Sequence, residues 1–144
     1  MAPAEPVESA ESGGAHDRTA GASVRRATTP RIAYFSMEVG LESDLRTYSG
    51  GLGVLAGDTL RAAADLGLPM VGVTLAHRKG YFRQSLDDEG AQSDAPDPWS
   101  PESRLTEAPE RVRIELEGRT VEVRAWRYDV RGVRGHVVPV YLLD

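Results

Sequence analysis

The chain has 144 residues, a net charge of −5 and no cysteine. That length allows one modest domain with a real core, while the missing cysteine excludes a disulfide framework, a thiolate metal site and a thiol nucleophile. Acidic and basic residues are interspersed, which speaks against a nucleic-acid surface, and the longest apolar run, Val137 to Leu143, is far too short to span a bilayer.

Residues 1–30 hold Ala, Glu, Ser, Gly, Thr and Pro with hardly a large apolar side chain. Such a segment cannot bury enough surface to offset its ordering entropy, so it reads as a disordered tail. It lacks the basic-then-apolar order of a secretory signal, and Arg25-Arg26 leads into Ala-Thr-Thr-Pro rather than an apolar segment. The chain is expected to be soluble and cytoplasmic.

The folded part, residues 31–144, is expected to begin with a buried strand at Ile32–Met37. Glu38 follows, then a polar connection through Asp44 and Arg46. At Tyr48-Ser49-Gly50-Gly51-Leu52-Gly53 three glycines fall in four positions, which leaves the backbone free for φ > 0 and for close approach by another molecule. Behind them Leu52, Leu55, Ala56, Thr59, Ala63 and Leu66 recur at steps of three and four, the stripe of an amphipathic helix. Asp58, Arg61 and Asp65 mark its wet face. Gly67 stops it and Pro69 forbids continuation. The glycines therefore sit on the first turn, where free N–H groups and the positive end of the macrodipole make an anion site, with phosphate the usual guest.

Met70–Leu75 reads as a second buried strand, so strand, helix and strand outline a parallel α/β unit. Tyr81–Leu86 leads to an exposed turn at Asp87–Gly90, and residues 91–110, with four prolines and Trp99, read as a loop. Val112, Ile114 and Leu116 then alternate with charged residues, turn at Gly118, and meet Val121 and Val123 on return: a hairpin with one buried face. The apolar parity changes at Ala125-Trp126, which predicts a β-bulge there. Val137–Leu143 is expected to be a central strand buried on both faces. Few covering layers and a stop at Asp144, a strand's carboxyl end, suggest the beginning of a larger protein.

The stretch Gly51 to Ala56 fits the dinucleotide pattern G-x-G-x-x-A, but roughly a dozen irregular residues separate it from the preceding strand. A Walker A loop is excluded because no Gly-Lys-Ser/Thr follows. A plain packing turn stays open beside the anion site. Glu38 is open between site carboxylate and helix cap. For His77, Arg78 and Lys79 a ligand edge competes with an ordinary wet turn; His136 reads as a loop histidine. Trp99, Trp126 and Tyr128 read as core rather than sugar-stacking residues. No Ser-His-Asp set or metal-ligand cluster stands out.

The runs Ile32–Leu41, Tyr48–Asp58, Ala64–Val73 and Lys79–Gln84 together resemble the start of the α-glucan (glycogen, starch or maltodextrin) phosphorylases, most of all the short bacterial and archaeal form. Glu117-Gly118-Arg119, Tyr128-Asp129-Val130 and Val138–Asp144 fit as well, so the resemblance covers about residues 31–144. It implies an α/β fold, the Rossmann-like N-terminal lobe of a two-lobed GT-B glycosyltransferase, incomplete in this chain. It implies reversible phosphorolysis of the terminal α-1,4-linked glucose of a glucan by inorganic phosphate, giving glucose 1-phosphate. It also implies pyridoxal phosphate, whose Schiff-base lysine belongs to a missing C-terminal lobe; Lys79, the sole lysine, stands in the wrong motif. Gly50, Gly51 and Leu52 match the loop over the substrate phosphate, with Glu38 and Ser49 in supporting roles and no catalytic residue in this chain. Two further readings remain: a sugar-nucleotide transferase of the glycogen or starch synthase kind, whose loop carries a lysine where Tyr48-Ser49 stand, and a non-catalytic glucan- or anion-binding module.

Overall fold

A computed structural model describes residues 31–144; the tail expected at 1–30 lies outside the described residues. In chain order the elements are β1 (Ile32–Phe35), α1 (Gly51–Leu66), β2 (Met70–Leu75), β3 (Phe82–Leu86), β4 (Gln92–Pro96), a 3-10 turn (Pro101–Ser103), β5 (Thr106–Leu116), β6 (Arg119–Arg131) and β7 (Val137–Leu143). Five strands form one sheet in the order β1-β2-β7-β6-β5, while β3 and β4 make a separate antiparallel ribbon. β1, β2 and β7 run parallel and β6 and β5 antiparallel, so the fold is α/β with a mixed sheet.

The parallel unit β1-α1-β2 follows the sequence reading, and Gly67 closes α1 at φ 69° with its N–H bonded to Ala63 and Ala64. The buried face of the helix differs from the expected stripe. Gly53, Ala56, Gly57, Leu60, Ala63 and Ala64 face inward, whereas Leu52, Leu55 and Leu66 are exposed. Close packing is the reason. A Cβ on Gly57 would fall 2.0 Å from the Gly40 carbonyl oxygen, and one on Gly53 2.3 Å from Tyr48 Cβ. Small residues let the helix lie against the chain beneath it, and Leu60 fills the space that Gly72 of β2 leaves open.

Register places Met70, Gly72 and Thr74 of β2, Val138, Val140 and Leu142 of β7, and Trp126, Tyr128 and Val130 of β6 on one sheet face. This face, under α1, is the core. The opposite face carries Phe35, Val73, Leu75, Tyr141 and Leu143, then Val121 and Val123 with Val112, Ile114 and Leu116 across the β5–β6 ladder. No described element covers it. Phe35 is 73% exposed and Val112 58%, so β1 is an edge strand rather than a buried one, and the β5–β6 hairpin exposes its apolar face. Likewise β7 is central, but only Val138, Val140 and Leu142 are fully buried; the alternate residues are half-covered.

That two-sidedness also accounts for the parity change. β6 runs unbroken through Ala125-Trp126: its first half is apolar on the uncovered face and its second half on the face under α1. The irregularity sits instead on β5, between Glu107 and Arg111, where Pro109 has no N–H for the ladder. Residues 91–110 are correspondingly not one loop, since they contain β4, the 3-10 turn and the start of β5. Glu117 and Gly118, both at positive φ, form the two-residue hairpin turn.

Thr74 is buried, and its hydroxyl has no hydrogen-bond partner among the described residues. Thr74→Val is therefore expected to stabilise the protein by about 1 kcal/mol in urea melts; a loss of stability would show that the hydroxyl is satisfied. Among the described residues, no helix is long and apolar enough to cross a membrane.

Candidate functional site

The connection from β1 to α1 is not the polar loop expected from its sequence: Val39, Leu41, Leu45 and Thr47 are all buried. Val39 N–H donates to Thr47 O at 3.0 Å, and Thr47 Oγ1 returns a bond to Val39 O at 2.6 Å. This pairing closes the loop and carries Glu38, just before it, and Ser49, two residues past it, to the same point. Gly40 N–H then bonds Gly53 O at 2.7 Å, and the Arg61 guanidinium holds the carbonyls of Gly40 and Leu41. Loop and helix start are one rigid piece.

Glu38 thus meets the start of α1. Its Oε2 accepts from Ser49 N–H at 3.0 Å and its Oε1 from Gly53 N–H at 2.8 Å. The positive helix end favours such a carboxylate. The Ser49 N–H, with help from Gly53, holds the Glu38 carboxyl below the usual carboxylate range against the opposing effect of partial burial. The first turn is therefore not wholly free, as the sequence suggested, because Glu38 engages part of it. The N–H groups of Gly51 and Leu52 have no acceptor among the described residues and stay open.

None of Gly50, Gly51 or Gly53 needs positive φ; Gly50 is extended at φ −150°. The three glycines differ in their surroundings. A Cβ on Gly51 would meet nothing within 4 Å, and one on Gly50 would meet only Glu38 Oε1 at 3.8 Å, whereas Gly53 is tightly hemmed. The fold requires glycine at 53 and is indifferent to it at 50 and 51.

Beside Glu38 and Ser49 lies a cleft of about 640 Å³ whose other walls include Leu75, His77, Lys79 and Tyr81. It opens at the carboxyl ends of β1 and β2, the edge where open α/β sheets gather ligand groups. Burial, together with the Glu38 charge, pushes the Tyr81 hydroxyl up from its ordinary value. Structure thus brings Glu38, Ser49, His77 and Lys79 to one cleft, with Gly50, Gly51 and Leu52 on the adjoining helix turn. His136 stays remote, its Nε2 beside Leu68 O at 2.8 Å. Trp99 anchors its loop by donating to His77 O at 2.7 Å. Tyr128 is partly buried and donates to Glu42 at 2.5 Å.

Sequence reasoning missed a charged cluster at the end of β7. Asp144 accepts from Arg78 Nε at 2.8 Å and Nη2 at 2.6 Å, from Arg124 Nε at 2.8 Å and from Trp126 Nε1 at 2.8 Å. Arg78 Nη2 also reaches Glu102 Oε1 at 2.8 Å. The Arg78 guanidinium holds Asp144 well below the usual carboxylate range and Glu102 down to about 2. No local pattern hinted at it, since the partners of Arg78 lie 24 and 66 residues away.

These lowered carboxyls fix a pH dependence. A group whose folded pKa is depressed stabilises the fold above its unfolded value and loses that contribution as pH falls through the folded value. Urea midpoints are expected to hold steady from neutral pH to about 5 and then fall between roughly 4 and 2 as Glu38, Glu102 and Asp144 protonate. A midpoint unchanged at pH 3 would contradict these contacts.

A helix start and a cleft at the carboxyl edge of parallel strands define an α/β protein with a candidate ligand edge. The family model for carbohydrate phosphorylase matches residues 36–139, and the chain belongs to that family. It is 37% identical over 120 residues to the maltodextrin phosphorylase of Thermococcus litoralis, covering 78% of this chain and 14% of that protein. It is 41% identical over 120 residues to the glycogen phosphorylase of Mycobacterium tuberculosis, covering 78% and 13%. With the glycogen phosphorylase of Aquifex aeolicus the identity is 44% over 63 residues, 44% of this chain and 9% of that one. The matched stretch therefore spans between 9% and 14% of the length of these relatives.

Proposed function

We propose that residues 31–144 form one wall of the substrate-phosphate site of an α-glucan phosphorylase, working within a polypeptide of the relatives' length and a two-lobed GT-B fold. The reaction is reversible phosphorolysis: a phosphate oxygen bonds to the anomeric carbon of the terminal α-1,4-linked glucose, the glycosidic bond breaks, and the glucan's freed 4-oxygen takes a proton. Products are glucose 1-phosphate and the shortened glucan. Gly50, Gly51 and Leu52 supply backbone donors to the phosphate, while Glu38 and Ser49 hold the turn in shape. No side chain of this chain acts as the catalytic acid, base or nucleophile, so the chain by itself is inactive.

One observation carries this reading. Glycine at 50 and 51 answers no demand of the fold, by space or by φ, so it serves something that approaches from outside. Open N–H groups on a helix's first turn suit a phosphate dianion without any lysine.

Pyridoxal phosphate enters by family alone. Lys79, the sole lysine, is exposed on the loop after β2 and has no ion-pair partner among the described residues. An exposed amine at the rim of an open cleft, in a motif other than the family's Schiff-base one, does not fit that cofactor, which would be held elsewhere in the polypeptide. The uncovered apolar sheet face, including Phe35, Leu75 and Ile114, supports a further packing layer from the same source. A cytoplasmic location is part of the same proposal and rests on the sequence reading alone.

The test is formation of glucose 1-phosphate from glycogen and inorganic phosphate by the full-length polypeptide supplied with pyridoxal phosphate. Glucosyl transfer from ADP-glucose with no phosphorolysis would move the protein to the synthase kind. Glycogen binding with neither activity would make it a binding module.

A further inference from the structure

The β3–β4 ribbon pairs with no other described strand, and every residue of its two strands is exposed. Its place is therefore set at its root. There the chain bends at Gly80, at φ +110°, and Asp97 N–H closes the ribbon by donating to Tyr81 O at 3.0 Å. The Asp97 side chain is only 14% exposed. One of its oxygens accepts from both Nε and Nη2 of Arg46, each at 2.6 Å, and the other lies 3.4 Å from Arg83 Nη2. Arg46 in turn belongs to the β1–α1 loop, where its Nη1 donates to Ser43 O at 3.0 Å. A guanidinium that grips a carboxylate through two N–H groups fixes direction as well as distance.

This pair bridges two walls of the cleft. One wall is the loop, with Tyr48 and Ser49, and the other is the ribbon root, with Tyr81, Phe82 and Gln84. A second hollow of about 380 Å³, lined by Arg46 and Asp97 themselves, shares Tyr48, Ser49, Tyr81 and Phe82 with the cleft. The cleft sets neutral hydroxyl and amide groups beside the exposed side chains of Phe82 and Leu75. That mixture suits a sugar, whose hydroxyls need hydrogen bonds and whose C–H faces need apolar cover.

We propose that Arg46 and Asp97 form a positioning clamp: they hold the ribbon root against the β1–α1 loop and so set the width of the cleft for glucosyl units of the glucan. The inference rests on the phosphorylase reading for the identity of that ligand. Neither residue acts on the reacting atoms. Loss of either lets the ribbon root swing at Gly80, which weakens glucan binding and leaves inorganic phosphate untouched.

The experiment uses the full-length polypeptide, with maltoheptaose as the glucan. Asp97→Asn and Arg46→Met are each expected to raise KM for maltoheptaose about fivefold to tenfold, while KM for phosphate stays within about twofold. The double variant should rise no further than either single one, because both break one contact. Glu122→Gln breaks an exposed pair with Arg113, 3.2 Å long on the β5–β6 hairpin, and is expected to move neither KM. In parallel, amide hydrogen exchange over residues 81–86, read by peptide mass spectrometry, should be slowed by maltoheptaose without phosphate in the wild type and not in either single variant. Should Asp97→Asn fail to fold, Arg46→Met, at a partly exposed side chain, carries both readouts. An unchanged maltoheptaose KM, an equal rise in phosphate KM, additive effects in the double variant, or no maltoheptaose protection of residues 81–86 in the wild type overturns the clamp. A wild type that makes no glucose 1-phosphate, yet shows that protection lost in the variants, overturns the phosphorylase reading and leaves the clamp standing.

Discussion

Gly51→Val in the full-length polypeptide is expected to lower kcat/KM for phosphorolysis by about a hundredfold or more while leaving glucan affinity and the urea midpoint nearly unchanged. The stability half of that expectation follows from space: a Cβ at 51 meets nothing within 4 Å, and such exposed substitutions usually stay within about 0.5 kcal/mol. The activity half follows from what approaches. Branched methyl groups over the Gly51 and Leu52 amides would keep phosphate from its donors, and losing one preorganised donor commonly costs about 10² to 10³ in rate. Gly57→Ala is the counterpart. Its Cβ would sit 2.0 Å from the Gly40 carbonyl oxygen and 3.0 Å from Arg61 Nη1, so α1 must lift off the β1–α1 loop. A loss of about 3 kcal/mol or more is expected, with activity falling only as far as folding falls. If Gly51→Val unfolds the protein, or turns over normally, the distinction between a ligand glycine and a packing glycine is wrong.

That distinction could not be drawn from the sequence, where Gly50, Gly51, Gly53 and Gly57 look alike. What separates them is the course of the chain at Gly40 and Tyr48, and those contacts span a loop whose burial its polar residues disguise. The same loop explains the wrong helix stripe. Hydrophobic periodicity assumes that large residues face the core, but α1 packs by Gly53, Ala56 and Gly57, leaving Leu52 and Leu55 outside. Elements marked by local chemistry were legible: the helix start and the Gly67 stop, β2, β7, and the turn at Gly118. β4 was not, because Gln92-Ser93-Asp94-Ala95-Pro96 has no apolar alternation and forms only as the partner of β3. The candidate site divides in the same manner. A glycine-rich helix start is local and could be read, whereas the Glu38 contacts and the Asp144 cluster join residues distant in sequence.

Trp126→Ala is expected to be the most destabilising single change, at about 3 to 5 kcal/mol in urea or thermal melts. Trp126 is 2% exposed, so truncation opens a cavity in the core cluster it shares with Leu142 of β7. More is lost than volume. Trp126 Nε1 donates to Asp144 Oδ2 at 2.8 Å, and the guanidinium carbons of Arg124 and Arg78 stand 5.0 Å and 5.9 Å from the ring centroid. The indole thus satisfies a carboxylate with its N–H while its ring stabilises two cations paired to that carboxylate. Trp126→Phe separates these contributions. Phenyl keeps most of the packing and removes the donor, so a loss of about 1 to 2 kcal/mol is expected at neutral pH. A cycle with Asp144→Asn should then show coupling well above about 0.5 kcal/mol, since the two groups share one hydrogen bond. Additive losses would mean that Trp126 acts through packing alone and that the carboxylate is held by its arginines without it.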